Sequence, residues 1–122
     1  MKGGKISDIF NNILLDLKNT EGVRMLELAG RDGFLIGSGY ENDDSETLTL
    51  MSAAMLKAAE NITSKLEHEL PNRVIVDYNG GKIIAVNAGQ KALISVLAAK
   101  DAALEPILSE LERTAGKIKE II

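Results

Sequence analysis

The sequence contains no cysteine among its 122 residues. This excludes disulfide bonds, thiolate catalysis and zinc sites built on cysteine. The only histidine is His68, so no pair of imidazoles can hold a metal ion. Its expected position near the end of a helix indicates a structural role at the negative end of the helix dipole. Tryptophan is absent and aromatic residues make up 3% of the chain, which argues against a platform for stacking nucleic-acid bases.

Charge and hydropathy exclude two further classes of partner. The 14 basic and 18 acidic residues give a net charge of −4 at pH 7, whereas a nucleic-acid-binding domain carries a basic surface. No apolar run approaches the roughly 20 residues that span a bilayer. The N-terminus shows no continuous apolar core of a signal peptide. We therefore expect a cytoplasmic protein that binds no nucleic acid and does not insert into membranes.

No set of residues predicts a catalytic, cofactor or metal site. The glycines of the stretch 27–39 (ELAGRDGFLIGSG) have neither the spacing of a phosphate-binding loop nor that of a dinucleotide-binding turn. The acidic loop at Glu41, Asp43, Asp44 and Glu46 lacks the ligand spacing of a calcium loop. It fits better as a helix start capped by Asp44 or Ser45. The serines show no activating partner, and we expect a protein that is not an enzyme.

Eight elements are predicted in the order α-β-β-α-β-β-β-α over a single domain of residues 1–122. The short turns between the last three strands require antiparallel neighbours. We therefore predict an α+β sandwich, a five-stranded antiparallel sheet with helices on both faces. The predicted bounds are a helix at about 6–19, strands at 23–29 and 34–38, a helix from its cap at 44–45 to about 70, strands at 73–78, 82–87 and 91–98, and a helix from about 102–104 to the C-terminus.

The second helix is apolar on nearly all sides. One stripe is expected to face the sheet: Leu48, Met51, Met55, Ala58, Ala59, Ile62 and Leu66. A second apolar row, Leu50, Ala53 and Leu56, is expected on the far side. A helix that is apolar all round is buried on more than one side, and a small domain has one sheet to offer. The second row therefore predicts contact with another copy of the chain, where Ser52, Ala53 and Ala54 permit close approach. The alternative is that Leu50 and Leu56 lie beneath the acidic loop or another helix.

The strand predicted at 73–78 supports self-association if it lies at the edge of the sheet. An edge strand has unpaired backbone groups, and pairing with its own copy would extend the sheet across a two-fold axis. The residues predicted for a dimer or partner interface are Leu50, Ala53, Ala54, Leu56, Lys57, Arg73, Ile75 and Asp77. Replacing Leu50 or Leu56 by Glu is expected to weaken dimerisation more than it unfolds the monomer.

Three stretches resemble the Roadblock / dynein light chain domain family. They are residues 22–39 (GVRMLELAGRDGFLIGSG), 48–62 (LTLMSAAMLKAAENI) and 74–100 (VIVDYNGGKIIAVNAGQKALISVLAAK). With the opening and closing helices, the resemblance covers nearly the whole chain. Profilin-like sandwiches share parts of the same pattern.

The resemblance implies a homodimer or heterodimer with a continuous sheet and paired second helices. It also implies a non-enzymatic scaffold or regulator of a small Ras-like GTPase, with the second helix as dimer surface and possible partner platform. Two alternatives stay open. One is a profilin-like sensor of small molecules, which needs a pocket beside Gly37 and Gly39. The other is an interaction domain unrelated to GTPases.

Overall fold

The computed structural model describes residues 2–40 and 43–122, with side chains described from residue 8 onward. Glu41 of the acidic loop lies outside the described residues. The elements follow the predicted order. They are α1 (Lys2–Lys18), β1 (Val23–Gly30), β2 (Leu35–Ser38), α2 (Ser45–Glu67), β3 (Val74–Tyr78), β4 (Gly81–Asn87), β5 (Ala92–Ala98) and α3 (Leu104–Ile121).

The strands form one five-stranded sheet in the order β2-β1-β5-β4-β3, with antiparallel neighbours throughout. The α+β class and the antiparallel sheet are therefore confirmed. The strand β3 lies at one edge and β2 at the other, so the condition that β3 is an edge strand is met. The strands β1 and β5 are central and buried on both faces, which is why apolar residues do not alternate along them.

The hairpin between β1 and β2 turns at Gly33, as the Asp-Gly pair predicts. Gly33 has a φ of 91°, a conformation that glycine adopts without steric cost. Its N–H donates to Gly30 O over 2.9 Å. A Cβ at Gly33 would lie 2.9 Å from Leu50 Cδ2. The turn therefore needs glycine twice, for its backbone angle and for its close approach to α2.

The larger hydrophobic core lies between the sheet and the helices α1 and α3. Both helices are amphipathic, and their apolar sides pack on the same face of the sheet. The buried residues of this core include Phe10, Leu14, Leu17, Leu26, Leu28, Ile84, Ile94, Ile107, Leu111 and Ile118. The helix α2 covers the opposite face, as predicted. The cluster there is much smaller, with Leu56 packed on Ala29, Ala85 and Leu93.

The helix α2 ends three residues before the predicted end at 70. His68 adopts the left-handed conformation, with a φ of 58°, and its N–H donates to Ser64 O. This geometry closes the last turn and stops the helix at Glu67. His68 is therefore the residue that caps α2, which agrees with its expected position near the end of a helix.

The small cluster beneath α2 makes Leu56 a test of the packing. Leu56→Ala removes a fully buried side chain and is expected to lower the free energy of unfolding by about 2–5 kcal/mol. Leu50→Ala is the matched control, because Leu50 is 45% exposed on the same helix and should cost far less. Urea denaturation of the two variants measures the difference. Equal losses would contradict the orientation of α2 described above.

Candidate interaction surface

The side of α2 that faces the sheet is mainly polar. Its buried residues are Ser45, Thr49, Ser52 and Leu56. The predicted sheet-facing stripe is wrong at Met51 and Ile62, which are 57% and 58% exposed, whereas Met55 of the same stripe packs against the sheet. The physical reason lies in the sheet, which presents Glu27 and Ser95 beneath α2. A helix that covers these groups must bring hydroxyl groups to them, since a buried polar atom without a partner is costly.

Glu27 is the centre of the contact at the start of α2. Its side chain is completely buried, and its Oε2 lies 2.6 Å from Ser38 Oγ of β2 and 2.9 Å from Ser45 Oγ of α2. Its Oε1 has no hydrogen-bond partner among the described residues. Burial raises the pKa of Glu27 above its ordinary value, and the two serine hydroxyls act in the opposite direction with a smaller effect. One carboxyl group thus joins β1, β2 and α2.

Two further polar contacts hold the rest of α2 on the sheet. One turn of the helix beyond Thr49, Ser52 Oγ lies 2.6 Å from Ser95 Oγ of β5, and both groups are buried. Near the middle of α2, Glu60 accepts from Arg31 Nη2 over 2.6 Å and from Asn87 Nδ2 over 3.1 Å. The helix is therefore aligned by three polar contacts and one small apolar cluster.

The opposite side of α2 is apolar and exposed. We call it the α2 outer face, and it consists of Met51, Ala54, Ala58 and Ile62. The two alanines lie between larger side chains, so a second helix could approach closely over them. Exposed apolar side chains that lie together on one helix face mark an interaction site more often than a free surface.

The α2 outer face continues onto the β3 edge on one flank. Val74 packs beneath α2, so alternation along the strand places Val76 and Tyr78 on that same face of the sheet. Met51 and Tyr78 line an apolar cleft of about 260 Å³ with Leu48, Met25, Ile83 and Leu97. Val76 and Tyr78 are themselves exposed. The cleft thus connects the exposed apolar residues of α2 with those of β3.

The residues predicted for an interface do not lie together. Leu56 is fully buried against the sheet, so the prediction that it faces away from the sheet is wrong, and Ala53 packs partly buried beside it. Leu50 lies against the β1–β2 turn at Gly33, on the flank of α2 that is remote from β3. Ala54 and Lys57 are exposed on the same helix.

The predicted β3 residues lie on the other face of that strand. Ile75 and Asp77 alternate with Val74 and Val76, and Ile75 pairs with Ile84, which belongs to the core beneath α1 and α3. Arg73 Nη2 is already 2.8 Å from Glu112 Oε1 of α3. The residues predicted for an interface therefore do not include four exposed apolar or aromatic residues of α2 and β3, namely Met51, Ile62, Val76 and Tyr78. The period-two pattern of VIVDY would have identified Val76 and Tyr78 once Val74 was known to face α2.

Three further features of the described residues bear on metal, membrane and small-molecule binding. They include no group of three or more acidic, histidine or cysteine residues placed to hold a metal ion. No helix within residues 2–40 and 43–122 is both long and apolar enough to cross a membrane. Beside Ser38 and Gly39 lies a cleft of about 190 Å³, lined also by Asn11, Leu14, Leu15 and Lys18. It is smaller than the roughly 300 Å³ at which small-molecule sites begin.

Comparison with known proteins identifies one family. The family model described as the Roadblock/LC7 domain matches residues 9–98. The uncharacterized protein MJ0714 of Methanocaldococcus jannaschii is 30% identical over 115 residues, which cover 93% of this chain and 97% of that protein. A second uncharacterized protein of the same organism, MJ0310, is 30% identical over 112 residues, 91% of this chain and 97% of that one.

Solved structures agree on the fold. The Roadblock/LC7 domain from Streptomyces avermitilis has a TM-score of 0.84 at 13% identity, over 91% of this chain and 95% of that one. The gliding protein MglB from Thermus thermophilus has a TM-score of 0.83 at 17% identity, over 94% and 89%. Acanthamoeba castellanii profilin II has a TM-score of 0.58 at 15% identity, over 82% and 87%. At these identities the likeness extends to the fold alone.

The serine pair beneath α2 provides a test of its polar contact with the sheet. Ser52→Ala leaves the buried Ser95 hydroxyl without its partner and is expected to cost about 1–3 kcal/mol of unfolding free energy. Replacing both serines by Ala should cost less than the sum of the two single changes, because no orphaned hydroxyl remains. Urea denaturation of the wild type, both single variants and the double variant measures this coupling. Additive losses would show that the two hydroxyls do not bond.

Proposed function

The chain belongs to the Roadblock/LC7 domain family, and from that membership we propose that it is a cytoplasmic, non-enzymatic regulatory module. In this proposal two copies associate through α2 and β3, and the resulting dimer binds and modulates a small Ras-like GTPase. The GTPase is the partner that the family resemblance implies. Self-association is supported independently by the surface of the chain.

The observation that carries self-association is the orientation of α2. Its polar side faces the sheet, and Met51 and Ile62 face outward at more than half exposure. Burying a side chain of this size contributes about 1.5–3 kcal/mol. A second copy that covers the α2 outer face would recover that free energy in both chains at once, because a two-fold contact uses the same residues twice.

The β3 edge supplies the second part of the proposed interface. Antiparallel pairing of β3 with its copy would satisfy the outward backbone groups of both strands. A register centred on Val76 places Ile75 opposite the Asp77 of the other copy, whereas a register centred on Asp77 would place two carboxylates opposite each other. Like charges directly opposite destabilise a strand pair. We propose the register with Val76 on the two-fold axis, which avoids this repulsion.

The flank of α2 that carries Leu50 and Lys57 would stay accessible in such a dimer. The two residues are seven positions apart, so they lie on one side of the helix, and both are exposed. This flank borders the β1–β2 turn rather than β3. We therefore assign Leu50 and Lys57 to the platform for the GTPase and the β3 flank to self-association.

Substitutions on the two flanks of α2 distinguish the proposed dimer contact from the proposed GTPase contact. Met51→Glu and Val76→Glu place a carboxylate within the proposed dimer interface, at a cost of about 3 kcal/mol or more. That cost corresponds to roughly a hundredfold weaker association. Sedimentation should show a dimeric wild type and monomeric variants. Leu50→Glu is the matched control and should remain dimeric.

Two results would contradict this arrangement. A wild-type chain that stays monomeric at the highest accessible concentration would remove self-association altogether. A monomeric Leu50→Glu variant beside a dimeric Met51→Glu variant would move the interface to the other flank of α2, which is the arrangement expected from the sequence.

The GTPase is tested with purified proteins. The Ras-like GTPases encoded in the source genome are loaded with GDP or with a non-hydrolysable GTP analogue and titrated calorimetrically with the dimer. We expect binding to at least one of them to depend on its nucleotide and to be lost in Leu50→Glu. If none of them binds in either nucleotide state, the GTPase part of the proposal fails and self-association is unaffected.

A further inference from the structure

The hydroxyl oxygen of Ser38 lies within hydrogen-bonding distance of three polar atoms. Its Oγ lies 2.6 Å from Glu27 Oε2. Tyr40 N–H donates to the same Oγ over 3.2 Å, and the Oγ also makes a short hydrogen bond to Tyr40 O. These contacts lie where β2 ends and the chain turns toward α2.

Counting hydrogens decides which atom donates in each contact. A serine hydroxyl has one hydrogen and two lone pairs. Tyr40 O has no hydrogen, so Ser38 donates to it, and Tyr40 N–H occupies one lone pair of Ser38. When Glu27 is ionised, its Oε2 and Tyr40 O are both acceptors for the single hydrogen of Ser38. When Glu27 is protonated, its Oε2 can donate to Ser38, and Ser38 then donates to Tyr40 O. All three contacts are therefore hydrogen bonds only when Glu27 is neutral.

The groups around Glu27 also favour its neutral, protonated form. The groups that face it are hydroxyls, Ser38 from β2 and Ser45 from α2, and Ser95 stands opposite it on β5. No lysine or arginine among the described residues pairs with it. The charged residues at the start of α2 are Asp44 and Glu46, which are acidic as well. The unpartnered Oε1 is also less costly as a neutral carbonyl oxygen than as part of a buried carboxylate.

We infer that Glu27 is uncharged in the folded chain and that this neutral state lets α2 lie closed over it, so that ionisation favours opening of the start of the helix, which returns the carboxylate to water. Ser45 is the first residue of α2 and bonds directly to Glu27. The next buried polar contact, Ser52 with Ser95, lies two turns further along. The segment between these two serines carries Leu50 and Met51. Any effect of this opening on self-association or partner binding rests on the proposed function. The protonation of Glu27 does not rest on it.

The dependence on pH has a definite sign. Burial raises the pKa of Glu27 above 4.5, so the closed state binds the proton more tightly than a state in which α2 has opened. The stabilisation is complete below about pH 4.5 and is lost as the pH rises through the raised pKa. Between pH 4.5 and the raised pKa of Glu27, each opening of the first turns of α2 releases up to one proton. The opening constant of the first turns should therefore rise by up to about tenfold per pH unit.

The proton is observed directly by carbon NMR of the full chain labelled at the glutamate Cδ atoms. Glu27 should titrate at a clearly higher pH than the ordinary value of a glutamate side chain. Titration of Glu27 at that ordinary value would overturn the inference. This measurement uses the wild-type protein, so it decides the matter even if a variant at Glu27 fails to fold.

Hydrogen exchange tests the consequence for α2. The opening constants of amides 48–52, corrected for the intrinsic effect of pH, should rise with pH in the wild type. Glu27→Gln should remove that rise, because its amide group donates as the protonated carboxyl does. Glu46→Gln, the matched control in the same turn, should behave as the wild type. Equal slopes in Glu27→Gln and the wild type would contradict the role of the proton, whatever the oligomeric state or the partner.

Discussion

The polar contact between α2 and the sheet fixes the rotation of that helix about its own axis, and the exposed surface of the chain follows from this rotation. Turning α2 to bury Met51 and Ile62 would gain about 1–2 kcal/mol for each side chain, because each is already nearly half buried. The same turn would expose Leu56 and leave Glu27 and Ser95 buried without their serine partners, at about 1–3 kcal/mol for each group. The losses match or exceed the gains. The chain therefore keeps an apolar outer face on α2, which is the surface proposed above for self-association.

The sequence was sufficient for the elements and their arrangement, because local patterns encode them. The Asp-Gly and Asn-Gly-Gly turns, the stripes of α1 and α3 and the doubly buried β1 each predicted an element within a few residues of its observed bounds. The rotation of α2 could not be read in the same way. A hydrophobic pattern assumes that a sheet presents apolar residues, whereas this sheet presents Glu27 and Ser95. That assumption placed Leu56 outside and Met51 inside, and both assignments were wrong.

The two faces of the sheet have different roles. The face beneath α1 and α3 is a continuous apolar core that supplies most of the hydrophobic burial. The face beneath α2 contributes less apolar burial and more polar alignment, so α2 is held in one orientation without being deeply buried. A fold of this kind serves many functions. The difference between the two faces of the sheet is therefore more informative about function than the fold itself. A polar underside orients the helix, and an apolar outer face joined to a free strand edge offers a surface for association.

The most direct test of a covered α2 outer face is the distance between two α2 helices in solution. The chain has no cysteine, so a single cysteine introduced at Ala58 accepts one spin label per copy on the α2 outer face. We expect one well-defined distance between copies, within about twice the 10–12 Å diameter of a helix. The same label at Lys117, an exposed residue of α3, should give a longer distance. The absence of any inter-copy distance at Ala58, with the label fully mobile in water, would contradict the pairing of two α2 helices.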